Sequence, residues 1–205
     1  MNNSRKKRKK IVICICGMAG CGKSTVAKRL AEKYGFKYYS GGEALKALAI
    51  ESGYKPVDRG WWESREGLRF LRQRSRDSSF DRRIDEKLIK AARLGDVVLD
   101  SWTMPWLLKG GFKVWLECSE KVRAERLAKR DGISSETALK VLRVKEEGTR
   151  RIYRGLYGFT LGEDFGPFDL ILDVSGLGVD EVLKAVSLVV DNLLFKKSSG
   201  LAKLL

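Results

Sequence analysis

The 205-residue sequence contains no histidine. Because imidazole is the commonest general base near neutral pH, any chemistry carried out by this chain has to rely on charge and on positioning. The sequence also lacks any apolar run of about 18 residues, the length that crosses a bilayer. We therefore predict no membrane-spanning segment and no reaction that depends on a histidine base.

Secretion signals and disulfides are not indicated either. The apolar stretch at residues 11–16 follows a basic run but is too short for a signal sequence, so we expect a cytoplasmic protein. The four cysteines include no CxxC pair, and with no histidine beside them a metal site is not favoured. Cys14 and Cys16 fall on one face of a predicted strand, and we interpret all four as small core residues: Cys14, Cys16, Cys21 and Cys118.

Positive charge is in large excess, with a formal net charge of +15. Six of these charges lie in the run Arg5–Lys10, and residues 1–10 are predicted to form a basic, disordered tail. Such a tail attracts polyanions, so weak contact with nucleic acid is one interpretation and a solvated extension is the other. Residues 195–205 are expected to form a second, frayed tail. The excess of cations that remains in the body suits a protein whose ligands are phosphates.

A phosphate-binding loop is the most informative stretch. Residues 17–24, Gly-Met-Ala-Gly-Cys-Gly-Lys-Ser, fit the pattern GxxxxGK[ST] between an apolar segment and an amphipathic one. The three glycines let backbone N–H groups close around a polyphosphate at a helix N-terminus, where Lys23 reaches the outer phosphates and Ser24 binds Mg²⁺. We predict that a nucleoside triphosphate contacts Gly17, Met18, Ala19, Gly20, Cys21, Gly22, Lys23, Ser24 and Thr25.

The rest of the chain alternates apolar strands with amphipathic helices. Strands are predicted at residues 11–16, 36–39, 96–100, 112–116 and 168–172. Helices are predicted to begin near residues 23, 41, 81, 119, 135 and 179. Five strands that alternate with helices are typical of a three-layer α/β/α fold with a parallel sheet, here in one domain over residues 11–194.

A second anion site is predicted just after the second strand. Ser40 and Gly41 open a helix there, and helix N-termini favour anions. Lys46 lies one and a half turns further on, where it could meet a phosphate. Residues 54–79 are polar, and we expect a loosely packed, mobile helical subdomain in which Trp61 and Trp62 are packing residues, with stacking on a base as the alternative.

Asp100 ends the third predicted strand. Ligands of parallel α/β sheets bind at the carboxyl ends of the strands, so this carboxylate is expected beside the phosphate-binding loop. A carboxylate that organises a metal is needed there for phosphoryl transfer. The alternative is an ordinary aspartate in the turn that ends a strand.

Two arginine-rich helices joined by Asp131-Gly132 are predicted to form a lid over residues 130–154. Cations on a lid can close on the charge that develops at a transferred phosphoryl group. Solvated helix faces explain many of these arginines equally well. Only a minority of them need to contact a nucleotide.

Together these segments resemble the nucleoside monophosphate kinases, and most closely the archaeal type of cytidylate kinase. Besides the phosphate-binding loop, the resemblance depends on five segments that occur in order between residues 11 and 194. They are Ser40-Gly-Gly-Glu-Ala-Leu-Lys46, Asp96-Val-Val-Leu-Asp100, Val114-Trp-Leu-Glu followed by Val122–Arg130, Tyr153-Arg-Gly-Leu-Tyr-Gly158, and Phe168-Asp-Leu-Ile-Leu172.

The resemblance implies a P-loop fold with strand order 2-3-1-4-5, an acceptor-binding region at about residues 40–80 and a lid at about 130–154. It implies transfer of the γ-phosphoryl group of ATP, with Mg²⁺, to CMP or dCMP. An acceptor phosphate is already ionised, so the reaction needs no base, which agrees with the absence of histidine. Nucleotides are the expected partners of a monomer or small homo-oligomer.

On this hypothesis each candidate residue has a role. The catalytic set is Lys23, Asp100, Arg126 and Arg130, and Ser24 and Asp100 organise Mg²⁺. The acceptor is expected to contact Ser40, Gly41, Lys46, Trp102, Arg151 and Arg154.

Two departures from the family pattern fall at the acceptor site. Asp100-Ser101-Trp102 stands where the family has Glu-Gly-Arg, whose arginine holds the acceptor. Lys46 stands where an arginine is usual, and a lysine is a point charge rather than a bidentate fork. A kinase with a different acceptor, such as AMP, UMP or a small metabolite, is therefore one alternative. A nucleotide-dependent protein that binds RNA or ribosomes is the other.

Overall fold

A computed structural model describes residues 10–57 and 59–195 of the chain. The two predicted tails, residues 1–10 and 195–205, lie almost wholly outside these described residues, and their predicted roles stay predictions. The strands are β1 (Val12–Cys16), β2 (Lys37–Ser40), β3 (Val97–Asp100), β4 (Phe112–Glu117) and β5 (Leu170–Asp173). The helices are α1 (Lys23–Tyr34), α2 (Gly41–Glu51), α3 (Arg65–Arg74), α4 (Ser79–Leu94), α5 (Met104–Leu107), α6 (Glu120–Asp131), α7 (Ser135–Tyr157) and α8 (Val179–Val190).

The sheet is parallel throughout, with the strand order β2-β3-β1-β4-β5. This confirms the predicted topology. In the register of the central strands, Asp100 lies opposite both Ile15 and Ser40. The carboxyl ends of β1, β2 and β3 therefore meet at one edge of the sheet, directly beside the phosphate-binding loop.

Side chains of β1 alternate between the two covered faces of the sheet. Ile13 and Ile15 pack with residues of α1 and α8 on one face. Cys14 packs with α2 and α4 on the other face, and Cys16 packs there against α7. All four cysteines are free and buried, as expected for core residues. A strand covered on both faces has to be apolar at every position, which explains its continuous hydrophobic sequence.

Serines and glycines set the ends of the helices. The hydroxyls of Ser40, Ser119 and Ser134 each accept a hydrogen bond from the backbone N–H three residues later and so cap α2, α6 and α7. Helix α7 runs three residues beyond the predicted limit, because the first left-handed glycine cap after it is Gly158.

Residues 54–79 are helical in part, but the prediction that they pack loosely is wrong. Trp61 and Phe70 are 3% and 0% exposed. The Phe70 ring makes edge-on contacts with the rings of Tyr54 and Phe80, at centroid distances of 5.2 and 5.1 Å. The segment has few apolar residues, yet they are large aromatics that converge on one point. Trp61 is a packing residue, since its indole N–H also donates to the Lys55 carbonyl at 2.9 Å.

A 3₁₀ turn, Trp61–Glu63, precedes α3, and a π-helical turn, Asp191–Phe195, follows α8. Among the helices of residues 10–57 and 59–195, none combines the length and the apolar character needed to cross a bilayer.

Candidate active site

A cavity of about 640 Å³ opens at the carboxyl edge of the sheet. The phosphate-binding loop and the start of α2 form its middle. One end lies against α6 and α8, and the other is enclosed by α3, α4 and α7. Residues on both sides of the loop therefore line one continuous cavity.

The glycines of the loop are required by backbone geometry. Gly17 and Gly20 have φ angles of 146° and 82°, and a Cβ atom on either would lie within 2.8 Å of a carbonyl oxygen. Around Gly22 a Cβ would meet nothing within 4 Å, but its φ angle of 94° is one that residues with a side chain rarely adopt. Gly22 precedes α1 and has no side chain to cap it, so the first N–H groups of the helix face the cavity as an anion site.

One carboxylate oxygen of Asp100 accepts hydrogen bonds from three hydroxyl groups. Ser24 donates to its Oδ2 at 2.6 Å, and Tyr38 and Ser40 donate to the same oxygen at 3.2 and 3.4 Å. The Asp100 side chain is buried. Partial burial of the Tyr38 hydroxyl, together with the nearby Asp100 charge, raises the pKa of Tyr38. The structure therefore brings together the two residues predicted to organise Mg²⁺, Ser24 and Asp100.

This oxygen pair fits Mg²⁺ bound by a nucleotide. Within the described part of the chain, no group of three or more acidic or cysteine side chains is placed to hold a metal ion by itself. Mg²⁺ in nucleotide sites usually takes one or two protein oxygens and completes its shell with phosphate oxygens and water. A hydroxyl and a carboxylate at the start of α1 match that donor set.

Trp102 supports the phosphate-binding loop instead of supplying a cation. Its indole N–H donates to the Gly17 carbonyl at 2.6 Å. The ammonium groups of Lys23 and Lys145 lie 5.2 and 5.8 Å from the centroid of its ring. The residue that stands in place of the family arginine thus bonds to the first residue of the loop, and its ring lies near two lysines.

The two arginines of the predicted catalytic set line the cavity, but both are already bonded to protein groups. Arg126 donates to the backbone carbonyls of Cys21, Val174 and Leu177. Arg130 forms ion pairs with Glu63 and Asp131. In this arrangement Arg126 joins the loop to the segment before α8.

The predicted acceptor residues divide into two groups. Ser40, Gly41 and Trp102 line the cavity. Lys46 instead lines a shallower neighbouring cavity of about 620 Å³. Arg151 and Arg154 are exposed on α7 and bond to Glu147 and Thr160, outside both cavities. Of the loop residues, Ala19 to Thr25 line the main cavity, whereas Gly17 and Met18 lie behind them.

Sequence reasoning missed a polar pocket at the end enclosed by α3, α4 and α7. Arg74 is buried there and donates two hydrogen bonds to Asp81, at 3.0 and 2.5 Å. Asp85 accepts from Thr103 and Tyr157 at 2.6 and 2.5 Å, and burial raises the pKa of this carboxyl to about 6 despite these bonds. Buried donor and acceptor groups of Arg74, Asp81 and Asp85 thus line this end of the cavity.

Lys145 was also missed as a site residue. It lies on the buried face of α7, in line with Leu142 and Thr149. Within the described residues, the buried hydroxyl of Thr149 has no hydrogen-bond partner. The available signal was helical spacing, which places Lys145 on the apolar stripe of α7, where a lysine is unusual.

The sheet order, the glycine loop and the Ser24–Asp100 pair define a P-loop kinase. Two solved shikimate kinases share the fold. The enzyme from Bacteroides thetaiotaomicron matches with a TM-score of 0.57 and 15% identity over 89% of this chain and 99% of its own. The enzyme from Acinetobacter baumannii matches with a TM-score of 0.53 and 17% identity over 91% of this chain and 97% of its own. At such identities the likeness concerns the fold alone.

The chain belongs to the cytidylate kinase-like family, whose model matches residues 12–176. The cytidylate kinase of Pyrococcus horikoshii is 33% identical over 185 residues, which cover 90% of each chain. That of Methanocaldococcus jannaschii is 31% identical over 188 residues, covering 89% of this chain and 99% of its own. The prediction of a P-loop nucleoside monophosphate kinase of the archaeal cytidylate kinase type is confirmed.

Proposed function

We propose that this protein transfers the γ-phosphoryl group of ATP to CMP or dCMP, giving CDP or dCDP. One observation carries the proposal: the Ser24–Asp100 pair lies at the start of α1, between the two ends of one continuous cavity. A donor and an acceptor bound at the two ends would meet at this pair. The matches to cytidylate kinases support CMP as the acceptor.

The donor would occupy the end formed by the loop, α6 and α8. Backbone N–H groups at the start of α1 would hold its β- and γ-phosphates, with Lys23 beside them. Its base would lie against the apolar side chains of Leu127, Leu177 and Val179, which line that end. Arg126 would keep this wall in place through its bonds to three carbonyl groups.

Ser24 and Asp100 would hold the magnesium ion. Mg²⁺, when bound, neutralises charge on the phosphate oxygens and draws them into line. The contribution of the chain is to orient the carboxylate: Tyr38 and Ser40 donate to Asp100 from β2, so that its position is set before a nucleotide arrives.

The acceptor would occupy the opposite end, with its phosphate near Ser40 and Gly41 at the start of α2. An ionised phosphate oxygen of the acceptor forms the new bond to the γ-phosphorus atom while the bond from that atom to the β–γ bridging oxygen breaks, and ADP leaves. No proton has to be removed from the acceptor phosphate, so the reaction does not need a histidine base. The polar pocket of Arg74, Asp81 and Asp85 would receive the base, whose amine and carbonyl groups need an acceptor and a donor.

Replacement of Lys23 tests the donor site. Lys23→Ala is expected to lower kcat at least about 100-fold, because a cation facing the transferring phosphoryl group is lost. Lys33→Ala, at the exposed far end of the same helix, is the matched control and should retain the activity of the natural protein. Both are measured by release of ADP and by thermal unfolding. A Lys23→Ala protein that keeps its rate would refute the proposed donor site.

A different acceptor remains the second candidate function, because Trp102 replaces the family arginine and Lys46 lies outside the main cavity. An ADP-release assay over CMP, dCMP, UMP, AMP and small phosphorylated metabolites separates the two. We expect the highest kcat/KM with CMP or dCMP. Turnover of another acceptor with none of CMP would establish the alternative.

A further inference from the structure

A buried carboxylate lies between two cations where the acceptor-binding region, residues 40–80, meets the lid, residues 130–154. One oxygen of Glu63 accepts from the Lys145 ammonium at 2.7 Å, and the other accepts from the Arg130 guanidinium at 2.8 Å. The Glu63 and Lys145 side chains are only 6% and 10% exposed. All three residues line the cavity proposed for nucleotides.

The two cations, Lys145 and Arg130, could bind a phosphate as well as the Glu63 carboxylate. Burial opposes the ionisation of Glu63, but Lys145 and Arg130 outweigh it and lower the pKa of the carboxyl group. Arg130 is also held by Asp131, at 2.6 and 2.7 Å, and therefore keeps its orientation without Glu63. For Lys145, Glu63 is the only carboxylate within bonding distance among the described residues.

Lys145 is also close to the proposed reaction centre. Its ammonium group shares the Trp102 ring with Lys23, the lysine of the phosphate-binding loop. Trp102 stands where the family pattern has an acceptor-binding arginine, so a cation for the acceptor has to come from another element. Lys145, from α7, is a buried cation that lies beside the Trp102 ring.

We infer that Glu63 occupies, in the nucleotide-free protein, the position that the acceptor phosphate takes during turnover, and that Lys145 receives that phosphate. The inference rests on the proposed function. An exchange of one anion for another keeps the buried ammonium group paired throughout, which a simple opening of the ion pair would not. Glu63 thus acts as an internal competitor that holds the acceptor-binding region against the lid until a phosphate replaces it.

Binding of phosphate and of CMP to variants tests this inference. The phosphate-binding loop is first filled with a non-hydrolysable ATP analogue and Mg²⁺, and inorganic phosphate or CMP is then titrated by calorimetry. Glu63→Gln is expected to lower both dissociation constants about tenfold, because removal of a competing state raises the fraction of protein that can bind. Lys145→Met is expected to raise both about tenfold or more, and Lys145→Arg to restore most of the loss.

Exposed residues of the same region supply the controls. Glu120→Gln and Lys140→Met remove one partner each from exposed ion pairs on α6 and α7. Both should change binding by less than about twofold. The double variant Glu63→Gln/Lys145→Met should gain less affinity over Lys145→Met than Glu63→Gln gains over the natural protein, because the carboxylate of Lys145→Met competes only for Arg130. Thermal unfolding checks that each variant is folded, and Glu63→Asp, too short to reach both cations, replaces Glu63→Gln if the latter does not fold.

The outcomes separate this inference from the proposed function. Unchanged or weaker phosphate binding by the Glu63 variants would show that the carboxylate has a structural role and would overturn the inference. Phosphate binding by Lys145→Met that equals that of the natural protein would do the same. If phosphate binding follows the expected pattern while no nucleoside monophosphate binds, the inference stands and the proposed acceptor is wrong.

Discussion

Asp100 receives more hydrogen bonds than any other site residue we describe, and every donor is a hydroxyl group. Asp100→Asn keeps the shape of the side chain and removes its charge. We expect kcat to fall about 100-fold or more and the Mg²⁺ concentration needed for half-maximal rate to rise, because the proposed magnesium site would lose its carboxylate ligand. The exposed Glu147→Gln is the matched control. An unchanged Mg²⁺ dependence in Asp100→Asn would contradict the metal assignment.

The raised pKa of Asp85 predicts that the stability of the protein depends on pH. Its pKa in the folded protein is raised to about 6, mainly by burial, whereas the pKa of an unfolded aspartate is ~3.9. Between these values the folded state holds a proton that the unfolded state has released, so the group's contribution to stability falls as the pH rises. The free energy of unfolding, relative to that of Asp85→Asn, should fall by about 2 kcal/mol from pH 4 to pH 7.

Urea unfolding at several pH values measures this difference. The comparison with Asp85→Asn removes the contributions of other carboxyl groups, which titrate in both proteins. A difference that is constant over the range would mean that the Asp85 carboxyl titrates normally in the folded protein.

Single residues show where prediction from the sequence stops. The phosphate-binding loop could be predicted because all of its groups are consecutive and its function depends on local backbone geometry. Glu63 and Lys145 are separated by 82 positions, and neither belongs to a motif. A charged residue on a helix carries no local signal that distinguishes solvent from a distant carboxylate as its partner.

At the scale of elements, the contact between the Trp61–Glu63 turn and α3 makes a glycine necessary. A Cβ on Gly67 would lie 2.2 Å from the Trp61 carbonyl oxygen and 2.8 Å from the Trp62 Cα atom. These are backbone atoms, so the turn itself would have to shift to make room for the Cβ. Gly67→Ala is therefore expected to lower the free energy of unfolding by about 1–3 kcal/mol. The displacement would also shift Glu63, which ends the turn.

Gly155 of α7 is the matched control, because a Cβ there meets no atom within 4 Å. Gly155→Ala should raise the free energy of unfolding by about 0.5–1 kcal/mol, since alanine is the better helix former. Denaturant midpoints of the two variants are compared. Shifts of the same sign would contradict the close contact at Gly67.

The elements themselves were largely predictable. Periodicity and capping residues placed the long helices and all five strands close to their observed bounds, because these signals are local. Helix α5, Met104–Leu107, was missed because four residues are too few to show a period. The packing of residues 54–79 was misjudged since polar composition says little about where a few aromatic rings converge.

For the whole molecule, the continuous cavity predicts that donor and acceptor stabilise the fold separately. Each ligand at 100 times its dissociation constant should raise the free energy of unfolding by about 2.7 kcal/mol. Lys23→Ala should lose most of the increase due to a Mg²⁺-loaded ATP analogue and keep the increase due to CMP. Thermal unfolding with each ligand alone and with both measures this. Loss of both increases in Lys23→Ala would contradict two separate sites.

The sequence by itself determined the loop, the alternation of strands and helices, and the family, because each depends on residues that are close together or on motifs in a set order. Only the tertiary structure decided which cations face the cavity. In the folded chain Trp102 donates to the Gly17 carbonyl, and Lys145 forms an ion pair with Glu63. Arg151 and Arg154 lie outside the cavity and bond to other groups. The physical reason is that the pairing of a charged side chain depends on which distant groups the packed helices bring within about 3 Å of it.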